Sequence, residues 1–280
     1  MNTDFKFVDL HLHTNKSDGT LSPKELVQLA HRENIGMMAI TDHDTVKGVR
    51  EGIDEARKLG VDFVTGVEIS SKYSGGVLHI LGYGLEIDDP NLRDNLAEFQ
   101  TARQHRNDKI IAKLQKLGID ITKEELLAYA KETVSLGRVH IAAILVKKKV
   151  VKDIADAFKH YLGKKGQAFV DKEIFSPAET ISMIHQAGGK AFVAHPSSLK
   201  RHGNSLSDYI TQLCQEGLDG IEGYSTLHTM KEIEIYRKLA NEMDLLISGG
   251  SDYHGSIKPN IQIACCNNGE RISQKQISGF

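Results

Sequence analysis

The chain has 280 residues, 40% of them hydrophobic and 26% charged, and a net charge of −2. Such a length can bury a large core as one α/β domain, or as a core with a smaller second unit, and the composition excludes a disordered chain or a fibre. Without a basic excess it is unsuited to binding long stretches of nucleic acid; its three cysteines (Cys214, Cys265, Cys266) lack zinc-ribbon spacing, and no apolar run reads as a signal peptide or membrane span, so a reduced, cytoplasmic protein without membrane contact is expected.

In chain order, Phe5 to Leu10 alternates as a strand and runs into His11-Leu12-His13. Ser22-Pro23-Lys24-Glu25 opens a helix, with Ser as N-cap, Pro in the first turn and Glu closing a capping box. Gly36 is expected to end it. Met37 to Ile40 then reads as a buried strand finishing in Thr41-Asp42-His43-Asp44, followed by a helix over 45–59 and a third strand from Val61 to Ile69. This strand–helix alternation predicts a parallel sheet. Another short strand covers 77–84.

From Asn91 to Val170 the pattern is helical and charged, with lysine runs at 147–149 and 164–165; the first reads as solvated surface in preference to a patch that tracks RNA. The strand rhythm returns after a second capping signature, Ser176-Pro177-Ala178-Glu179, with strands at 190–196, 218–224 and 245–254. The expected organisation is therefore a barrel-forming unit over 1–90 and 171–280, interrupted by a helical insertion over 91–170.

The strands share a feature. They finish in His11 and His13, His43, Glu68, His195, and Asp252 with His254. In parallel α/β folds the C-terminal strand ends converge on one face, so these residues would share a small volume. Packed imidazoles and carboxylates are costly there unless a divalent metal cluster takes neutral imidazole and ionised carboxylate as ligands. His11 and His13, and likewise Asp252 and His254, are spaced to face one side of an extended segment. A lone strand histidine is ordinarily a core or surface residue, and His31, His105, His160, His185 and His202 are read so with respect to metal. Asp18 alone would be a turn residue, and His79 alone a strand histidine.

Together, Asp9-Leu10-His11-Leu12-His13-Thr14, Ser17-Asp18-Gly19, Thr41-Asp42-His43-Asp44-Thr45, Gly66-Val67-Glu68-Ile69, His195-Pro196 and Gly249-Gly250-Ser251-Asp252-Tyr253-His254-Gly255 resemble the PHP (polymerase and histidinol phosphatase) metal-dependent phosphoesterases. The resemblance implies a distorted (β/α)7 barrel. It implies a three-metal site held by His11, His13, Asp18, His43, Glu68, His79, His195, Asp252 and His254, with Mn favoured over Fe or Zn. It places Asp9 behind the ligands, orienting an imidazole, and Asp42 beside them as an aid to proton movement, with Glu68 bridging ions.

The insertion is similar to that of the nucleotide-directed branch, through Ala102-Arg103-Gln104-His105-Arg106, Gly137-Arg138-Val139-His140 and Tyr161-Leu162-Gly163-Lys164. Val139 stands where that branch leads one to expect Pro. The implied reaction is hydrolysis of 3′,5′-bisphosphate nucleotides, removal of 5′-terminal nucleotides from 5′-phosphorylated RNA, or both, by a metal-activated water. Arg103, Arg106 and Arg138 would bind a second phosphate, with His202 and His228 as weaker substrate contacts. The competing expectations are a histidinol-phosphate phosphatase and a non-catalytic PHP module. No obligate protein partner is implied.

Overall fold

The computed structural model describes residues 7–73, 75, 77–129, 133, 135–171 and 175–280. Phe5 and Lys6 of the first expected strand lie outside the described residues. The strands are β1 (Phe7–Leu12), β2 (Ile35–Ile40), β3 (Asp62–Ser71), β4 (Leu78–Tyr83), β5 (Lys190–Val193), β6 (Gly220–Ser225) and β7 (Leu246–Gly250). They form one seven-stranded sheet in sequence order. Its two edges meet where Tyr253 O accepts from His13 N at 3.0 Å and His11 O accepts from Asp252 N at 2.9 Å. Gly250 permits this approach, because a Cβ there would lie 2.3 Å from the Cβ of His11. The result is a nearly closed barrel.

One strand departs from the expected parallel arrangement. β4 runs antiparallel to both β3 and β5. The six residues between Ser71 and Leu78 are too few for a parallel crossover, which takes roughly a dozen. The reversal matters for the site: the start of β4, with His79 opposite Ser70, lies at the barrel end where the other strands finish.

Helices α1 (Pro23–Arg32) and α2 (Val49–Leu59) follow β1 and β2. The capping box of Ser22 and Glu25 opens α1 as expected. Gly36 lies inside β2 rather than ending the helix, and α2 begins four residues later than expected. The reason is local. Residues 41–48 are held as a loop by Asp42, which accepts from Thr14 N and Oγ1, and by Asp44, whose N donates to Glu68 O at 2.9 Å.

Between β4 and β5 come α3 (Pro90–Lys116), α4 (Lys123–Tyr129), α5 (Arg138–Lys147) and α6 (Ile154–Ala157, continued by a wider turn over Phe158–Leu162), then α7 (Pro177–Gln186). α8 (Asn204–Gln215) and α9 (Met230–Glu242) complete the set. Val8, Leu10, Ala39, Leu81, Tyr83, Phe192 and Ala194 fill the space the strands enclose. The long α3 belongs to two cores. Leu92, Leu96 and Phe99 pack with β3, β4 and α7–α9, whereas Ile110, Ile111 and Leu114 pack with Ile141, Leu145, Leu162 and Ala168. A single helix thus joins both cores and itself carries Arg103 and Arg106.

Candidate metal centre

His11 and His13 leave the end of β1 on one face, and both are buried. His43 pairs with Glu68 across the ends of the second and third strands. His79 comes from the reversed β4. His195 and Asp252 follow β5 and β7 in backbone conformations that non-glycine residues rarely adopt, at φ 26° and φ 56°. Asp44 does the same at φ 53°. Such positions cost of order 1–3 kcal/mol each and persist where the surroundings fix them, as they do at working sites.

All nine expected ligands converge. Four overlapping groups have donor atoms within 4.8 Å of one another: His13, Asp18, His43 and His254; His11, Glu68 and His195; His11, His13 and Asp252; and His43, Glu68 and His79. Glu68 is central. Its Oε1 lies 2.8 Å from His79 Nδ1 and 3.0 Å from His195 Nε2, while Oε2 lies 2.9 Å from His43 Nδ1, 3.3 Å from His13 Nε2 and 3.4 Å from His11 Nε2. Asp18 faces His254 Nε2 at 3.3 Å and both His13 and His43 at 3.7 Å.

These donors fit divalent cations. His11 Nε2, His13 Nε2, His43 Nδ1 and Glu68 Oε2 are buried and face one another at 2.9–3.4 Å without making a well-aligned hydrogen bond. An unpaired buried polar atom costs roughly 1–3 kcal/mol, and four in one cavity call for an occupant that accepts lone pairs. The electrostatics agree. Burial alone would lower the His13 ring, yet Asp252, Glu68 and Asp18 outweigh it and push it up to about 9. Burial would raise Glu68, but His43, His79 and His11 hold it well below the usual carboxylate range. The cavity therefore stabilises positive charge.

The PHP domain model matches residues 9–170. The chain is 36% identical over 249 residues to a 5′-3′ exoribonuclease of Haemophilus influenzae, covering 89% of this chain and 90% of that one. It is 30% identical over 247 residues to a 3′,5′-nucleoside bisphosphate phosphatase of Chromobacterium violaceum, covering 88% and 87%. The solved structure of a Chromobacterium violaceum amidohydrolase with bound sulfate and no metal superposes with a TM-score of 0.84 at 29% identity, over 91% and 90% of the two chains. The chain belongs to the PHP family.

The PHP cluster is braced by groups the sequence reading missed or placed differently. Asp9 does not orient an imidazole. Its carboxylate accepts from the main-chain N–H of His11, Ser251 and Ala264 and from the Ser251 hydroxyl, tying β1 to the chain after β7. Burial pushes Asp9 up to about 6 against those four bonds. The ring-orienting role falls to Glu222 on β6, whose Oε1 meets His11 Nδ1 at 2.8 Å and whose Oε2 accepts from His195 N. A carboxylate behind a metal-ligating imidazole fixes its tautomer and raises its basicity. A charged residue in the middle of a fully buried strand was the available signal. Asp42 turns from the cluster to hold Thr14 and Ser17. Lys258 donates to Asp252 Oδ2 at 2.6 Å, so Asp252 Oδ1 faces His13 at 3.3 Å and His11 at 3.5 Å.

Beside the PHP cluster stands an arginine wall. Arg103 Nε donates to Asp44 Oδ2 at 2.5 Å, and Arg103 Nη2 donates to Ser70 Oγ at 3.2 Å. Arg106, buried on the same helix, donates to Val170 O, and Arg138 donates to Leu162 O while lying over the Phe158 ring. Burial, with Arg138 and Arg103 nearby, lowers Arg106 to about 9; burial and Arg103 lower Arg138 to about 10. Asp171 is a partial counter-charge to both.

His202 is exposed and lies near Glu232. His228 precedes α9, which Thr229 caps, and is fully buried. Its Nδ1 lies 3.3 Å from Gly223 O and its ring 4.7 Å from that of Tyr236. Burial lowers its pKa from 6.5 to about 4. The unfolded chain thus binds the proton first, so the contribution of His228 is complete above pH 6.5 and is lost as pH falls towards 4. The gap is worth roughly 3 kcal/mol at ~1.4 kcal/mol per pH unit. His228→Gln is expected to lose less stability than the unsubstituted chain when urea melts are compared at pH 7.5 and pH 4.5; parallel losses would refute this.

Proposed function

We propose that the chain is a metal-dependent phosphoesterase that hydrolyses 3′,5′-bisphosphate nucleotides and removes 5′-terminal nucleotides from 5′-phosphorylated RNA. The observation that carries the reading is the pairing of a centre of nine ligand residues, which would take one phosphate once it holds cations, with a group of three guanidiniums linked to it through Arg103 and Asp44, of which Arg106 is buried and Arg103 and Arg138 are partly exposed. Two phosphates one nucleotide apart satisfy both. A single small monoester leaves the arginines unused, and a non-catalytic module has no need of an intact ligand set.

His11, His13, Asp18, His43, Glu68, His79, His195, Asp252 and His254 would hold about three ions, and the histidine-rich set suits Mn, with Fe or Zn as alternatives, better than Mg. Ions held there would supply Lewis acidity and would lower the pKa of a water towards neutrality, making hydroxide available as nucleophile. The protein's own residues do the rest. Glu68 spans two ligand groups with its two oxygens, Glu222 fixes the His11 ring, and Lys258 reserves one oxygen of Asp252. The arginines grip the second phosphate with charge-assisted, bidentate geometry and set which ester lies at the cluster. His202 and the buried His228 would remain the weaker substrate contacts. Residues 91–170 act as the recognition unit on this reading. No helix among the described residues is long and apolar enough to cross a membrane, and Cys214, Cys265 and Cys266 are free, which supports a reducing cytoplasmic setting.

The test compares kcat/KM of the Mn-loaded chain for adenosine 3′,5′-bisphosphate, a 5′-phosphorylated short RNA and histidinol phosphate. The first two should exceed the third, and excess EDTA should abolish all three. RNA carrying a 5′-phosphate should lose mononucleotides stepwise from its 5′ end, whereas 5′-hydroxyl RNA should be cut far more slowly. Equal or better turnover of histidinol phosphate, or internal or 3′-end cleavage of RNA, would overturn the nucleotide-directed reading.

A further inference from the structure

His195 enters the cluster from an unusual backbone position. Its φ is 26°, and it precedes the 3₁₀ turn over Pro196–Leu199. Two bonds hold its main chain: His195 N donates to Glu222 Oε2 at 2.5 Å, and Ser198 N donates to His195 O at 2.8 Å. The ring is held by Ser198 as well. Ser198 Oγ lies 3.0 Å from His195 Nδ1 and donates to Val77 O at 2.8 Å. Val77 N in turn donates to Ser198 O at 3.1 Å, and Ala194 N donates to His79 O at 3.1 Å. The turn after β5 is therefore laced to the segment that opens β4 and carries His79.

The hydroxyl decides which ring nitrogen carries the proton. A hydroxyl has one hydrogen to give and lone pairs to accept with, whereas a carbonyl only accepts. The Ser198 hydrogen goes to Val77 O, so Ser198 Oγ accepts from His195, and the ring proton sits on Nδ1. Nε2 then keeps its lone pair towards the cluster, 3.0 Å from Glu68 Oε1. This is the tautomer that a ligating imidazole needs, and the hydrogen bond at the other nitrogen is what fixes it. His11 receives the same service from a carboxylate, Glu222 Oε1, at 2.8 Å. At His195 the partner is a neutral hydroxyl, which orients the ring without adding charge.

We propose that Ser198 is a positioning residue that sets the tautomer and aim of the His195 ring from the start of β4, so that Nε2 is presented to the ligand group formed with His11 and Glu68. This rests on the metal centre of the proposed function. The hydroxyl can be removed without parting the loops it joins. Tyr73 Oη donates to Leu199 O at 3.1 Å, Arg201 Nε donates to Tyr73 Oη at 2.6 Å, and the bond from Val77 N to Ser198 O is main chain. Val77 is exposed, so water can replace the hydroxyl at its carbonyl. Loss of the hydroxyl therefore acts on the His195 ring rather than on the fold. Partners behind a ligand typically change metal affinity by ~10–100-fold when lost.

The experiment is a Mn2+ titration of the full chain, stripped of metal, read by electron paramagnetic resonance. It is paired with long-range proton–nitrogen NMR spectra of the Zn2+-loaded chain carrying nitrogen-labelled histidine, in which His195→Gln identifies the His195 signals. Ser198→Ala is expected to weaken one Mn2+ site ~10–100-fold. It should also open the His195 Nδ1 proton to exchange with water, so that its signal is lost, while the urea midpoint of the metal-free chain stays unchanged. Ser198→Thr keeps the hydroxyl and should restore both the affinity and the proton signal. Unchanged Mn2+ affinity in Ser198→Ala, a His195 Nδ1 proton indifferent to that substitution, or equal damage in Ser198→Thr would each overturn the inference. Absence of any Mn2+ binding by the unsubstituted chain would instead overturn the metal reading on which it rests.

Discussion

Glu68→Gln is expected to lower kcat by about three orders of magnitude or more, and to cut the metal content of protein purified without chelator. The change is isosteric, so the effect comes from charge and hydrogen polarity. Glu68 is fully buried with histidines on every side: His79 and His195 at Oε1, and His43, His13 and His11 at Oε2. A glutamine would turn an NH2 group towards donors that hold their lone pairs inward, and would remove the only negative charge shared by two of the four ligand groups. Each tenfold of rate is ~1.4 kcal/mol, and the Lewis-acid contribution of bound ions is several kcal/mol, so losing most of it costs roughly 10³ in rate. The fold should survive, because the barrel core of Val8, Leu10, Leu81, Phe192 and their neighbours is independent of the site. Elemental analysis, circular dichroism and kcat measured together decide it: normal metal content with normal kcat would remove Glu68 from the mechanism.

Seven of the nine residues of this cluster were legible for a specific physical reason. Strands with buried faces read as apolar runs, so a polar residue where such a run ends stands out, and the two-residue spacing of His11 with His13 and of Asp252 with His254 adds direction. Asp18 was legible only through the family motifs, and so was His79. Its placement depends on the reversal of β4, whose signal is the short connection after Ser71. Glu222 escaped because it sits in mid-strand, where the alternation of Gly220-Ile221-Glu222-Gly223 says nothing of a histidine 211 residues away in the chain. Lys258 escaped for a similar reason, since its partner Asp252 is identified only once the 3₁₀ turn over Gly255–Ile257 folds it back. The role of Asp9 was misread because its motif spacing places it on the face of His11, but its oxygens are consumed by main-chain donors from two other segments. Spacing reports which face a side chain takes, whereas hydrogen-bond partners across the barrel are set by tertiary closure.

Arg138→Ala is expected to reduce kcat/KM for adenosine 3′,5′-bisphosphate and for 5′-phosphorylated RNA by ~10–150-fold while leaving p-nitrophenyl phosphate within about twofold. A charge-assisted bidentate contact is worth roughly 1.5–3 kcal/mol, which sets that range. The selectivity follows from position. Arg138 belongs to the helix start that faces Arg103 and Arg106, and its neighbours leave it an excess of positive charge when no anion is present: burial and Arg103 lower it to about 10, and Asp171 offsets this only in part. Removing one guanidinium relieves repulsion on Arg106, so the free protein should gain or hold stability, and the loss should appear only with substrates that carry the second phosphate. The same variant should lose the preference for 5′-phosphate over 5′-hydroxyl RNA, because that preference is the arginine contact expressed in another substrate. Arg138 also donates to Leu162 O and packs on Phe158, so Arg138→Lys serves as the control: it keeps the charge and the stem but not the planar fork, and should recover part of the affinity. Equal loss on p-nitrophenyl phosphate in both variants would show that Arg138 supports the metal centre or the fold of the insertion, and the recognition of a second phosphate would then rest on Arg103 and Arg106 alone.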